Sequence, residues 1–306
     1  MIMDSSADFP NCPICGSNSW TIVHGGPVRD GAFGSLRAGR VARCGGCGVD
    51  RLAESACLPD IAYATATYRQ SLGQSHDLES HFGAHDELAR FTLETIWPRS
   101  LRGRRVADIG CGGGSLLDHA GKLPDEMLAI DPDPGFAKSL VARGYKWFPT
   151  AAAAAETHAG LVDIAFSVQV IEHVHDPRKF LSDIRSLLSP GGIVVMSTPN
   201  RADILGDLLP EEFGRFFFRT QHRWYFDTDS LRRCAEAAGL VTEEIKHVHR
   251  YGIANAMHWL RDRCPRGRTP LHPLDSSLDL LWRSWLETNG RSDNLYAILR
   301  RGQEQP

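Results

Sequence analysis

From Arg104 onward the chain alternates between short apolar runs and segments of helical periodicity, and this alternation constrains the fold more than any other feature. The apolar runs, each bounded by Gly, Pro or Asp, lie at 105–109, 127–130, 145–148, 162–167 and 192–197. The helical segments lie at 115–120, 135–143, 151–157, 177–188 and 228–238. Strands that alternate with helices predict a parallel sheet covered on both faces, and therefore a doubly wound α/β domain.

The first predicted strand ends in a glycine-rich loop. Its D-x-G-x-G-x-G pattern uses Asp108, Gly110, Gly112 and Gly114, and glycines there let the backbone approach a ligand at the carboxyl edge of the sheet. A dinucleotide fingerprint would place its third glycine at position 115, which is Ser115. The acid ahead of the glycines also suits a cationic ligand better than a pyrophosphate.

A second acid follows the next strand. Asp131 ends the run Leu128–Asp131, and a carboxylate at this position can accept hydrogen bonds from both hydroxyls of an adenosine ribose. Either motif is weak alone. Together, in a βαβ context, they predict a nucleoside-binding site.

With these motifs and three further stretches, the chain resembles the class I S-adenosylmethionine-dependent methyltransferases between Leu101 and Leu240. The further stretches are VQVIEHV after the fourth strand, LLSPGG before the fifth, and HRWYF at 222–226. The resemblance implies a seven-stranded sheet of order 3-2-1-4-5-7-6 with strand seven antiparallel. It also implies that S-adenosylmethionine is the cofactor.

The resemblance assigns cofactor-binding roles residue by residue. Asp108, Gly110, Gly112 and Gly114 are expected to hold the methionine moiety, Asp131 the ribose, and Gln169 to line the pocket of the methyl donor.

Methyl transfer to an oxygen or an enolisable carbon also requires a general base, and histidine is suited to that role at neutral pH. The candidates are His173, just past the fourth strand, and His222 with Tyr225, in the loop after the fifth. Each histidine has a structural alternative. His173 could brace the following turn, and His222 could pack against the aromatic cluster at 213–218.

Four of the eight cysteines form two pairs near the N-terminus: Cys12, Cys15, Cys44 and Cys47. A glycine follows each pair, and two such turns can complete a tetrahedral four-cysteine site for structural Zn²⁺. The flanking segments at 20–23 and 40–43 indicate strands that lead out of and into the turns, as in a zinc ribbon. Unrelated core thiols and a redox pair are the alternatives.

These features predict three regions. Residues 1–58 form a zinc-ribbon-like module, 59–100 a helical connecting segment that covers substrate, and 101–306 the cofactor-binding domain. A helix is expected at 85–96, ended by Pro98. Strand-like segments at 241–248 and 294–300 enclose an insertion at about 250–291, which carries a helical run at 274–286.

Two clusters outside these motifs have open interpretations. The phenylalanines Phe213, Phe216, Phe217 and Phe218 are expected to form either a lid over the acceptor or a plain hydrophobic patch. Four arginines crowd the insertion: Arg261, Arg263, Arg266 and Arg268. They would meet a phosphate-bearing acceptor or, alternatively, belong to a solvated loop.

Net charge and hydropathy indicate which kinds of partner the chain is expected to bind. The net charge of −3 argues against nucleic acid, and no apolar run is long enough to cross a bilayer. The N-terminal residues lack the pattern of a secretory signal, so a cytoplasmic location is expected. A zinc module ahead of such a domain resembles the sugar C-methyltransferases, which predicts a small-molecule acceptor such as a sugar or nucleotide-sugar. An RNA methyltransferase and a non-catalytic assembly protein are the alternatives.

Overall fold

A computed structural model describes residues 8–31, 34–95, 99–271 and 277–302 of the chain. Its strands are β1 Trp20–Arg29, β2 Leu36–Cys44, β3 Asp50–Leu52, β4 Arg105–Ile109, β5 Glu126–Ile130, β6 Lys146–Phe148, β7 Val162–Val168, β8 Leu188–Pro199, β9 Trp224–Tyr225, β10 Leu240–Val248 and β11 Asn294–Arg301.

The α-helices are α1 Thr67–Ser71, α2 Leu78–Thr95, α3 Ser115–Ala120, α4 Ala137–Ala142, α5 Ala151–His158, α6 Pro177–Leu187, α7 Ile204–Leu208, α8 Pro210–Phe217, α9 Thr228–Ala237, α10 Ile253–Asp262 and α11 Ser277–Thr288. Helix α2 begins seven residues before the predicted 85–96. The predicted helix end at Ile96–Pro98 lies outside the described residues.

Seven strands form one sheet in the order β10-β11-β8-β7-β4-β5-β6. The five strands from β8 to β6 pair in parallel, and the sheet as a whole is mixed. This is the predicted order 3-2-1-4-5-7-6, which is confirmed. The strands at the centre of this sheet are apolar and buried, as expected when helices cover both faces.

The register of β4 and β5 determines where the two acids lie. Ile109 pairs with Ile130, and the Gly110 amide donates to the Ile130 carbonyl at 2.7 Å. The two strands therefore end side by side, and Asp108 and Asp131 meet at one edge of the sheet.

A second sheet has the order β1-β2-β3-β9. The first two strands form a long hairpin in which Trp20 pairs with Cys44, and β3 pairs antiparallel with β9 through Asp50 and Tyr225. The predicted zinc-ribbon strands are thus present, but they continue into a sheet completed by residues far along the chain.

The chain divides into two compact units, neither of them a single segment. Unit 1 comprises residues 1–57, 198–233 and 245–296, and unit 2 comprises 58–197, 234–244 and 297–306. The division into a module at 1–58, a connecting segment at 59–100 and a domain at 101–306 stays a prediction.

Candidate active site

The glycine loop of unit 2 adopts a backbone that strongly favours glycine. Gly110, Gly112 and Gly114 have φ angles of 80°, 51° and 88°, in the region that L-residues rarely occupy. A Cβ atom on Gly110 would lie 2.4 Å from Val170, and one on Gly114 would lie 2.7 Å from Leu140. The loop therefore places a stretch of backbone without side chains at the carboxyl end of β4.

Asp131 holds this loop in place. Its two carboxylate oxygens accept hydrogen bonds from the Gly112 amide at 2.8 Å and from the Asp133 amide at 2.9 Å. The side chain is buried, and burial raises the pKa of the carboxyl group although the two amide donors oppose that shift. Since an ionised carboxylate has about four acceptor positions, lone pairs remain for a ligand's hydroxyl groups.

Asp108 is also buried. Burial, followed by the negative charge of Asp131, raises the pKa of Asp108 to about 7. Two buried carboxyl groups that lie close together favour a cationic ligand, because a positive charge beside them would stabilise their ionised forms.

Gln169 and His173 lie on the loop that follows β7. Gln169 has a φ of 56°, which is unusual outside glycine, and its Nε2 donates to Ser197 Oγ at 3.2 Å. The His173 ring contacts the rings of Tyr63 and Tyr68, with centroids 5.5 and 5.4 Å away. The two tyrosines also contact each other, at 4.9 Å, so the three rings form an aromatic trio.

Helix α2 covers the glycine loop through a residue that the sequence analysis did not assign to the site. The Gly113 amide donates to His81 Nε2 at 3.0 Å, and the His81 ring stacks on His85 with centroids 4.1 Å apart. Burial lowers the pKa of His81 to about 3, so the imidazole is neutral and accepts the bond.

Asp133, just past Asp131, also binds residues that precede the first strand of the main sheet. It accepts from Arg69 Nε at 3.1 Å and lies 2.7 Å from His76 Nε2. Arg69 lies over the ring of Phe136 at 4.8 Å. The only sequence signal for these roles was the concentration of His and Tyr at 63–85, without any motif spacing.

His222 and Tyr225 belong to unit 1. Both are buried, and His222 Nε2 contacts the Arg219 guanidinium. The Tyr225 hydroxyl accepts from the Arg219 amide at 2.9 Å and donates to the Arg219 carbonyl at 3.2 Å. Burial raises the pKa of Tyr225 well above its usual value, and the rings of Phe217 and Phe218 pack against it.

The two clusters whose interpretation stayed open also lie in unit 1. Phe213 and Phe216 pack on Trp259 of α10 at 5.6 and 5.3 Å, so the aromatic cluster contributes to the core of this unit. Arg261 and Arg266 both pair with Asp262, and Arg263 lies 3.9 Å from Glu212.

The four paired cysteines form a cluster. All four sulfur atoms lie within 4.8 Å of one another, with Cys12 and Cys47 at 3.6 Å and Cys15 and Cys44 at 3.5 Å. These separations exceed a disulfide bond of about 2.05 Å. They are close to the edge of about 3.8 Å that a tetrahedron with Zn–S distances of about 2.3 Å requires.

The two cysteine turns have the same backbone geometry. Gly16 donates its amide to the Cys12 carbonyl at 2.7 Å, and Gly48 donates to the Cys44 carbonyl at 3.0 Å. Both glycines have positive φ angles, 76° and 79°. The donor set and its geometry thus fit a structural Zn²⁺ ion.

Within the part of the chain that the structure describes, no helix has the length and apolar character needed to span a membrane.

Comparisons with known proteins agree with this geometry. Residues 81–245 match a family model described as a methyltransferase domain. The ubiquinone biosynthesis O-methyltransferase of Cereibacter sphaeroides is 34% identical over 184 residues, which cover 56% of this chain and 72% of that protein. The enzyme of the same description from Aeromonas salmonicida is 29% identical over 199 residues, covering 58% and 81%.

A solved structure has the same fold. The 1,6-didemethyltoxoflavin-N1-methyltransferase of Burkholderia thailandensis, with bound 1,6-didemethyltoxoflavin and S-adenosylhomocysteine, aligns with a TM-score of 0.50 at 14% identity. The alignment covers 87% of this chain and 96% of that one.

Proposed function

The chain belongs to the class I S-adenosylmethionine-dependent methyltransferases, and from this membership we propose that it methylates an oxygen of a small-molecule acceptor. The observation that carries the proposal is the pair of buried carboxyl groups, Asp108 and Asp131, beside a loop of glycine backbone that carries no side chains. The names of the relatives favour oxygen as the nucleophile.

S-adenosylmethionine supplies a methyl group carried on a positively charged sulfur. We assign Asp108 and the loop residues Gly110, Gly112 and Gly114 to the methionine end, where the absence of side chains lets the ligand approach the backbone closely. Asp131 is assigned to the ribose through the acceptor positions that its two amide donors leave, and Gln169 to the pocket of the methyl donor. Positioning of the acceptor and exclusion of water would then supply most of the rate acceleration.

We propose His173 as the general base. It follows β7 in the same unit as the glycine loop, and the rings of Tyr63 and Tyr68 restrict its orientation. His222 is the second candidate, but its Nε2 already contacts the Arg219 guanidinium, so that nitrogen has a partner within the protein. The Tyr225 hydroxyl forms hydrogen bonds with both the amide and the carbonyl of Arg219. We therefore propose that Tyr225 holds this loop in position and takes no part in proton transfer.

We further propose that Cys12, Cys15, Cys44 and Cys47 bind one structural Zn²⁺ ion. With four thiolate ligands the metal has no open position, which suits a role in stability rather than in catalysis.

The cofactor assignment predicts that Asp131→Asn weakens S-adenosylmethionine binding about tenfold or more, because an amide cannot accept from two hydroxyls as a carboxylate does. Isothermal titration calorimetry measures the affinity. Asp125→Asn, at an exposed position just before β5, is the matched control and should bind normally. Equal affinities for the two variants would contradict the assignment.

The base assignment predicts that His173→Gln lowers kcat by about a hundredfold and removes the acidic limb of the pH profile, where protonation of the base reduces activity, while cofactor affinity stays unchanged. His175→Gln, an exposed neighbour on the same loop, serves as control. If the His173 variant retains the wild-type kcat and pH profile, His222 becomes the preferred base.

The acceptor class is tested by the release of S-adenosylhomocysteine with panels of phenols, sugars and nucleotide-sugars. A sugar or nucleotide-sugar acceptor is a second proposal, favoured by the four-cysteine cluster that precedes the domain. Turnover with phenols alone would exclude that second proposal, and a gel shift with total RNA would reveal the RNA-modifying alternative.

A further inference from the structure

Unit 1 contains a cleft of about 160 Å³ that no part of the proposed function uses. Its walls combine three arginines, Arg29, Arg215 and Arg263, with the rings of Phe216 and Trp259. We call it the arginine cleft. A cavity of roughly this volume can hold a single six-membered ring.

Arg29 is the most unusual residue of this cleft. Its guanidinium lies over the Phe216 ring, 4.4 Å from the centroid, and its Nε is buried without a hydrogen-bond partner. Among the described residues, no carboxylate forms an ion pair or a hydrogen bond with it. A partly buried guanidinium that lacks a carboxylate partner is costly, and the face of an aromatic ring offsets only part of that cost.

A second cation increases this cost. Burial, followed by the positive charge of Arg219, lowers the pKa of Arg29 to about 10, and the Nε of Arg219 is itself buried without a partner. Two neighbouring guanidiniums that share no carboxylate produce a local positive potential, which a bound anion would neutralise.

The remaining charges of the cleft leave it positive. Among the described residues that line the cleft, Glu212 is the one acid, and it lies 3.9 Å from Arg263. Arg215 is half exposed and lies 3.8 Å from the exposed Glu211, a contact that solvent screens. Three arginines against one glutamate favour an anionic occupant.

From these contacts we infer that the arginine cleft binds a ligand with an oxyanion group, a phosphate or a carboxylate, attached to a flat ring. The oxyanion would pair with Arg29 and Arg263, since planar guanidiniums bind such groups in bidentate fashion. The ring would pack against Phe216 and Trp259.

The inference is tested on the full chain without cofactor, so that its outcome is independent of methyl transfer. The probes are phenyl phosphate, benzoate, inorganic phosphate and the uncharged benzyl alcohol, titrated by calorimetry and by the fluorescence of the protein's tryptophans. We expect saturable binding of at least one aromatic anion, a higher Tm in its presence and no binding of benzyl alcohol. The ratio of the affinities for phenyl phosphate and benzoate identifies the preferred oxyanion.

Two variants separate the charge from the ring. Arg29→Gln should weaken binding of the aromatic anion about tenfold or more, and Phe216→Leu should weaken the aromatic anions but not inorganic phosphate. Arg37→Gln, at an exposed position on β2, is the matched control and should bind as the wild type does. Without ligand, Arg29→Gln should melt no lower than the wild type, because it removes a partly buried charge that has no carboxylate partner within the described part of the chain.

The inference is overturned if neither aromatic anion binds saturably at millimolar concentration. It is equally overturned if Arg29→Gln and Arg37→Gln bind alike. Should Arg29→Gln fold poorly, the Phe216→Leu comparison still decides the matter, because that variant retains all three arginines.

Discussion

At the scale of one residue, Asp108 illustrates how a buried carboxyl group in a ligand site can lower the free energy of unfolding. Its folded-state pKa of about 7 lies above the ordinary aspartate value of 3.8, so the folded chain holds an extra proton between these two values. The contribution of Asp108 to stability should therefore be most favourable at acidic pH and should decline as pH rises from about 4 to about 7, where the folded carboxyl group must ionise in a buried site.

The variant Asp108→Asn should remove this contribution. A shift of three pKa units corresponds to about 4 kcal/mol, so at pH 8 the variant should be more stable by an amount of this order, while at pH 4 the two proteins should be similar. Urea unfolding at both pH values measures the difference. Asp203, whose pKa burial also raises to about 7, is present in both proteins and cancels in the comparison. An equal difference at both pH values would contradict the prediction.

At the scale of elements, helix α2 packs directly against the glycine loop and helps to fix its conformation. The bond from the Gly113 amide to His81 Nε2 satisfies a buried donor, and the ring lies so close that a Cβ on Gly113 would come within 2.5 Å of it. The contacts of Asp133 with Arg69 and His76 tie the segment before α2 to the same edge of the sheet.

The variant His81→Ala should loosen the loop, because it leaves the Gly113 amide without its acceptor. Hydrogen–deuterium exchange of the amides at 112–114 should accelerate about tenfold or more. Glu79→Ala, at an exposed position of the same helix, should leave these rates unchanged. Unchanged exchange in the His81 variant would show that other contacts hold the loop.

How far the sequence predicts these elements depends on the range of the interactions. The strands and helices of the main sheet follow from local periodicity, and the glycine spacing identified the loop because Gly110 and Gly112 need backbone angles that side chains disfavour. The role of His81 could not be predicted, since its partner lies 32 residues away and a buried histidine has no sequence signature. The pairing of β3 with β9 was also missed. The two strands lie far apart in the sequence, and at three and two residues they are too short to show a periodic pattern.

At the scale of the whole molecule, the four-cysteine cluster belongs to a unit assembled from distant segments. Val28, Val41 and Leu52 share a buried cluster with Tyr225, and Arg233 donates to the Gly46 carbonyl at 3.0 Å, beside the second cysteine pair. Loss of the metal should therefore affect residues well beyond the first sixty.

The variant Cys44→Ser should lose bound zinc and lower the Tm, since structural zinc contributes directly to folding free energy. We expect about one zinc per chain in the wild type by atomic emission spectroscopy. Faster proteolysis at 198–233 should accompany the loss. Cys264→Ser, in the same unit but outside the cluster, should keep both the metal and the Tm. A wild-type protein purified without zinc would contradict the assignment.

Unit 1 is assembled from three separate segments of the chain, and this affects the order in which its strands are synthesised. Strand β3 leaves the ribosome long before β9, its partner across some 170 residues of intervening chain. During that interval the ribosome translates residues 58–197, the longest of the three segments that make up unit 2. The N-terminal hairpin must therefore wait with one edge unpaired, and an early-bound metal ion would be well placed to keep it from misassembly until β9 arrives.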